Sequence, residues 1–123
     1  MPEFLSPLVV KYLNGFNWEL AEPLRYKTDK GIVEVPKDYV TDFASIPRLL
    51  WVLLPPTGRS YGKAAVIHDY LYTYGGQIPN SEVVFSKRDA DRIFLEAMRL
   101  LGVRGIKRTI MYWAVRLFGK GSF

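Results

Sequence analysis

The hydrophobic period of this chain changes once, near residue 42, and that change limits what it can fold into. Before it, LVVKYL (8–13), FNWEL (16–20), PLRYKT (23–28) and GIVEVP (31–36) are short and rich in β-branched and aromatic residues. Turn signals separate them: Asn14-Gly15 suits a tight hairpin, and Asp29-Lys30-Gly31 a second turn. Pro23 and Pro36 fall at strand edges, where a missing N–H is tolerated. A small antiparallel sheet or meander is expected.

After residue 42 the helical period takes over. Ser45 is placed to cap a short helix through RLLWVLL to Pro55-Pro56. Residues 61–74 read as a helix closed by Gly75-Gly76, and QIPNSEVVF connects it to the next. Ser86 with Asp89 three residues on is a capping-box variant, opening a helix that runs to Leu101. Another runs from about Val103 to Phe118 and stops at Gly119. Strands first and helices afterwards give an α+β fold. With 123 residues this is one domain over 1–123: strands in 1–40, three to four helices in 42–118.

Composition narrows the chemistry. There is no cysteine, which removes disulfides, thiol nucleophiles and thiolate metal sites. No window reaches the roughly 20 apolar residues of a membrane span. The start MPEFLSPLVVKYL lacks a basic leader before an apolar stretch, so no signal peptide is expected. Net charge is +5, and no acidic residue follows Glu96.

The one histidine, His68, lies in AAVIHDYLYTYGG (64–76). On a helix it shares a face with Ala64 and Tyr72, while Asp69 is turned about 100° away. In the next helix Asp91 sits in a stripe with Phe94, Leu95 and Met98, and a carboxylate in such a stripe needs a partner. If the two helices pack, Asp91 meets His68. A carboxylate behind an imidazole fixes its tautomer and stabilises the charged ring, the general-base arrangement. Asp69 is then free to hold a hard cation, and Asp42 in TDFASIP (41–47) is a candidate second ligand. Ser45 is a weaker candidate, because no nucleophile-elbow pattern surrounds it. The same residues also suit a buried polar network in which Tyr72 donates to Asp91 for structural reasons alone.

HDxxY followed by ADxxF resembles calcium-dependent secreted phospholipases, above all the compact form in parvovirus capsid proteins. The resemblance covers residues 61–98. It implies that His68 activates a water, Asp69 binds calcium, Asp91 orients the histidine and Tyr72 supports Asp91. The glycine-rich calcium loop of those enzymes has no counterpart in RLLWVLLPP (48–56), and their disulfides are absent. A wider resemblance runs through VPKDYVTDFASIPRLLW, YGKAAVIHDYLY, DADRIFLEAM and MYWAVRLFG. These blocks are similar to a family of small phage and prophage proteins of unknown function. That resemblance implies a place in the host cytoplasm during infection or in the virion, and a virion or tail role.

The last helix has two apolar stripes, Ile106/Ile110/Trp113/Leu117 and Met111/Val115/Phe118, among Lys107, Arg108 and Arg116. A helix apolar nearly all round is buried or covered by a partner. Packing into the core is the default. A phospholipid or membrane surface and another phage structural protein are the alternatives. Nucleic acid is disfavoured, since charge is the only feature pointing to it. Three readings stand: a small hydrolase, with calcium as its possible cation; a non-enzymatic virion or tail accessory protein; and a host-directed binding protein.

Overall fold

A computed structural model describes residues 2–14, 17–41, 62–79 and 81–119. The short helix expected after Ser45, and with it Asp42, lies outside the described residues. The strand half holds β1 (Glu3–Phe4), β2 (Val10–Asn14), β3 (Asn17–Leu20), β4 (Leu24–Thr28), β5 (Gly31–Val35) and β6 (Val40–Thr41). The helical half holds α1 (Gly62–Thr73), α2 (Lys87–Leu100) and α3 (Gly105–Phe118). Strands followed by helices make the α+β fold that the period change implied.

The strands form two antiparallel sheets, in the orders β1-β4-β5 and β2-β3-β6, where one small sheet or meander was expected. The break falls between β3 and β4 at Ala21-Glu22-Pro23, where the chain bends after the last cross-strand bond, Ala21 N–H to the Val9 carbonyl at 2.8 Å, and Pro23 has no N–H to donate. Two very short strands, β1 and β6, then complete the sheets by pairing with β4 and β3. Two-residue strands carry no period of their own, so only their partners reveal them.

Alternation along β4 and β5 shows which face is inside. Leu24, Tyr26, Val33 and Val35 are fully buried, while Arg25 and Glu34 pair across the outer face at 2.5 Å. The turn between them is closed by Thr28, whose hydroxyl donates to the Gly31 carbonyl at 2.6 Å and accepts from Lys30 N–H. Gly31 takes φ 140°, open to glycine alone at low cost.

The buried face of β4 and β5 joins one cluster with Ala64, Ile67 and Leu71 of α1 and Phe94, Ala97 and Met98 of α2. Every residue from Ala64 to Tyr72 is buried, so α1 is the central helix. Helix α2 is one-sided and opens with the expected capping box. Asp89 N–H donates to Ser86 Oγ at 3.0 Å, and Ser86 N–H donates to Asp89 Oδ2 at 2.9 Å. Asp89 also pairs with Lys30 at 2.7 Å, tying the β4–β5 turn to α2.

Helix α3 departs from the default. Only Met111 and Val115 are buried; the first stripe is exposed along its whole length, and Phe118 is 69% exposed. Its last turn is held by polar contacts instead: Lys87 Nζ donates to the carbonyls of Val115 (2.9 Å) and Arg116 (3.1 Å). Among the described residues no helix is long and apolar enough to cross a membrane.

Candidate functional site

Three helices converge on one carboxylate. His68 and Tyr72 come from the same face of α1, one turn apart, because i and i+4 stack on a helix. Asp91 comes from the buried stripe of α2. His68 Nε2 lies 2.8 Å from Asp91 Oδ1, and the Tyr72 hydroxyl donates to that same oxygen. The other oxygen, Oδ2, accepts from Lys87 Nζ at 3.1 Å and from Arg116 Nη1 of α3 at 2.9 Å. His68 and Asp91 are both fully buried.

This arrangement sets the protonation states. Burial would raise the Asp91 carboxyl, but hydrogen bonds from His68, Tyr72 and Lys87 outweigh it and hold the group at about 2. Asp91 is therefore an ionised acceptor. His68 moves the other way: burial pushes its ring below the ordinary value, against the opposing pull of Asp91. The neutral ring facing a carboxylate carries its proton on Nε2, which makes Nδ1 the basic nitrogen. Burial and the bond to Asp91 both raise the Tyr72 phenol, so it stays a donor.

Aromatic packing fixes the imidazole plane. Its centroid is 4.1 Å from the Tyr72 ring and 4.7 Å from the Phe94 ring. Gly119, just past α3, presses on the same phenol. A Cβ there would stand 2.9 Å from the Tyr72 hydroxyl and 2.5 Å from the Val115 carbonyl oxygen.

Asp69 belongs to a different set. Its Oδ2 accepts from the Tyr39 hydroxyl at 2.8 Å and from Thr41 Oγ1 at 2.5 Å. Thr73 bonds both the Asp69 carbonyl and the Tyr39 hydroxyl, at 2.9 Å each. So His68 faces α2 while its neighbour ties α1 to the strand half through β6. Among the described residues no group of three or more His, Cys, Asp or Glu side chains is placed to hold a metal ion. His68, Thr41, Tyr72 and Thr73 each make further contacts besides these.

The structure thus brings His68, Asp91 and Tyr72 together and sets Asp69 apart from them; Asp42 lies outside the described residues. Sequence reasoning missed Lys87, Arg116, Tyr39 and Thr41. Lys87 had a signal, standing four residues before Asp91 on one helix face. Arg116 had none, because it reaches Asp91 only through the packing of α3 on α2.

Comparison with known proteins adds a family and no activity. Residues 18–115 match the family described as "Protein of unknown function (DUF1353)", and the chain belongs to it. A relative is the uncharacterized protein y4jT of Sinorhizobium fredii (strain NBRC 101917 / NGR234), 34% identical over 104 residues. The match takes in 83% of this chain but 29% of that protein, so the chain spans under a third of its relative. No solved structure matches.

Proposed function

We propose that this chain is a small hydrolase of phage or prophage origin acting on ester bonds, with phospholipid as the substrate class. The observation that carries the reading is the 2.8 Å contact of His68 Nε2 with an ionised Asp91 that Tyr72 also supports. With Nε2–H committed to Asp91, Nδ1 takes a proton from a water as its oxygen bonds to the ester carbonyl carbon. The tetrahedral intermediate collapses, the C–O bond to the alcohol breaks, and the imidazolium returns the proton to the leaving oxygen. Asp91 stabilises the charged ring in between. The phage origin rests on the four ordered sequence blocks. Calcium held by Asp69 comes from the phospholipase resemblance, and Asp42 as its second ligand from its residue type and place in TDFASIP. The described residues do not assemble a ligand set for it, and no step above is routed through it.

The test is fatty-acid release from mixed phospholipid vesicles, with calcium and with chelator, beside His68→Ala. Release lost in the variant supports the reading. Equal release from both proteins, or none from folded wild type, removes it.

A second reading has its own observation. His68 and Asp91 are completely buried, and two cations already neutralise Asp91. That suits a non-enzymatic accessory protein in which the network clamps three helices. His68 is the only histidine, so diethylpyrocarbonate labelling reads it alone. Modification at a rate near that of free imidazole fits a working base; complete protection in the folded protein fits the clamp.

A further inference from the structure

Ile106, Ile110, Trp113 and Leu117 are 72%, 46%, 55% and 68% exposed. At 3.6 residues per turn they fall within a sector of about 60°, one unbroken strip along α3. The buried side of the helix, Met111 and Val115, faces away from this strip. Isolated apolar residues on a surface need no explanation, but a continuous strip of four marks a contact surface.

Charge selects the occupant. Exposed Lys107 lies on one flank of the strip and exposed Arg104 at the start of the helix, while Arg116 on the other flank is already paired with Asp91. No acidic residue follows Glu96. Two copies meeting through this face would set like charges against each other. An anionic bilayer offers what the face lacks, apolar depth beneath a negatively charged rim, and Trp113 near the middle suits its interface. We infer that α3 is a membrane-docking helix, lying along an anionic phospholipid surface with this strip sunk below the headgroups. The docking goes beyond ester hydrolysis and does not depend on it.

The experiment is vesicle flotation of the full chain on ether-linked phosphatidylcholine, with and without phosphatidylglycerol. Ether lipids resist esterases, so binding is read apart from hydrolysis. Binding is expected on anionic vesicles, weaker on neutral ones, and reduced by salt. The double variant Ile110→Asp, Trp113→Ala should bind at least about tenfold more weakly with unchanged circular dichroism, since both side chains are exposed. Lys107→Glu should weaken binding to anionic vesicles only. Failure of the folded wild type to float on either vesicle overturns the inference, as does undiminished binding of the double variant. A solution dimer that this variant dissolves would assign the face to a second copy and overturn it equally.

Discussion

His68 and Tyr72, one turn apart on α1, donate to the same oxygen of Asp91, while Lys87 and Arg116 occupy the other. The carboxylate is shared between a ring and a phenol on one side and two cations on the other. Neither pair can be altered without exposing what the other depends on.

Replacing His68 by alanine should abolish fatty-acid release, the activity proposed for the site. It should also destabilise the fold by about 1–3 kcal/mol, because a buried acceptor loses a partner. Urea denaturation gives the second number independently of the first. A variant as stable as wild type would show that the His68–Asp91 bond contributes little.

Asp91→Asn should cost more, about 3 kcal/mol or above, since two cations lose their anion. The cost stays near that lower figure because the Lys87 and Arg116 side chains keep 29% and 28% exposure to water. If Asp91→Asn proves milder than His68→Ala, the carboxylate is not the hub described above.

Acid should destabilise the protein in two steps. The unfolded chain protonates His68 near 6.5, whereas burial keeps the folded ring neutral to lower pH, so stability begins to fall below about 6.5. Asp91 works the same way further down. Its stabilisation is complete above its unfolded value of 3.8 and is lost as pH falls toward its folded value of about 2. That second step is worth about 2 kcal/mol. Thermal melts across pH 2–8 should show both steps, and a folded His68→Gln variant should show only the lower one.

Gly119→Ala should impair the site without touching any member of it. The new Cβ meets a main-chain oxygen at 2.5 Å and the Tyr72 hydroxyl at 2.9 Å, so either the end of α3 or the phenol must move. A loss of about 1–3 kcal/mol is expected, typical of overpacking, with a parallel fall in any activity that needs Tyr72 on Asp91. Melting temperature and vesicle assay together check it. Gly119 has φ −64°, which any residue adopts, so contact and not backbone strain is the cause.

What was legible in the chain was whatever a single helix encodes. His68 over Tyr72, Asp91 in an apolar stripe and the Ser86/Asp89 cap are all short-range patterns, and each reappears in the structure. Features that need packing were not legible. Asp69 looked free to take a cation until Tyr39 and Thr41, 30 and 28 residues earlier, arrived at its Oδ2. The division into two sheets likewise depends on partners for β1 and β6 that their own two residues cannot announce. On α3 both stripes looked equally fit for burial, and only its position against α2 decided that Met111 and Val115 went in.

The ammonium of Lys87 sends its three protons to Asp91 Oδ2 and to the carbonyls of Val115 and Arg116. A guanidinium, planar and forked, cannot aim in those directions, so arginine is no substitute here. Positions 87, 91 and 116 are therefore expected to change together. In a relative where 91 has lost its charge, a cation at 87 or 116 should be gone as well, and neither change should be found alone.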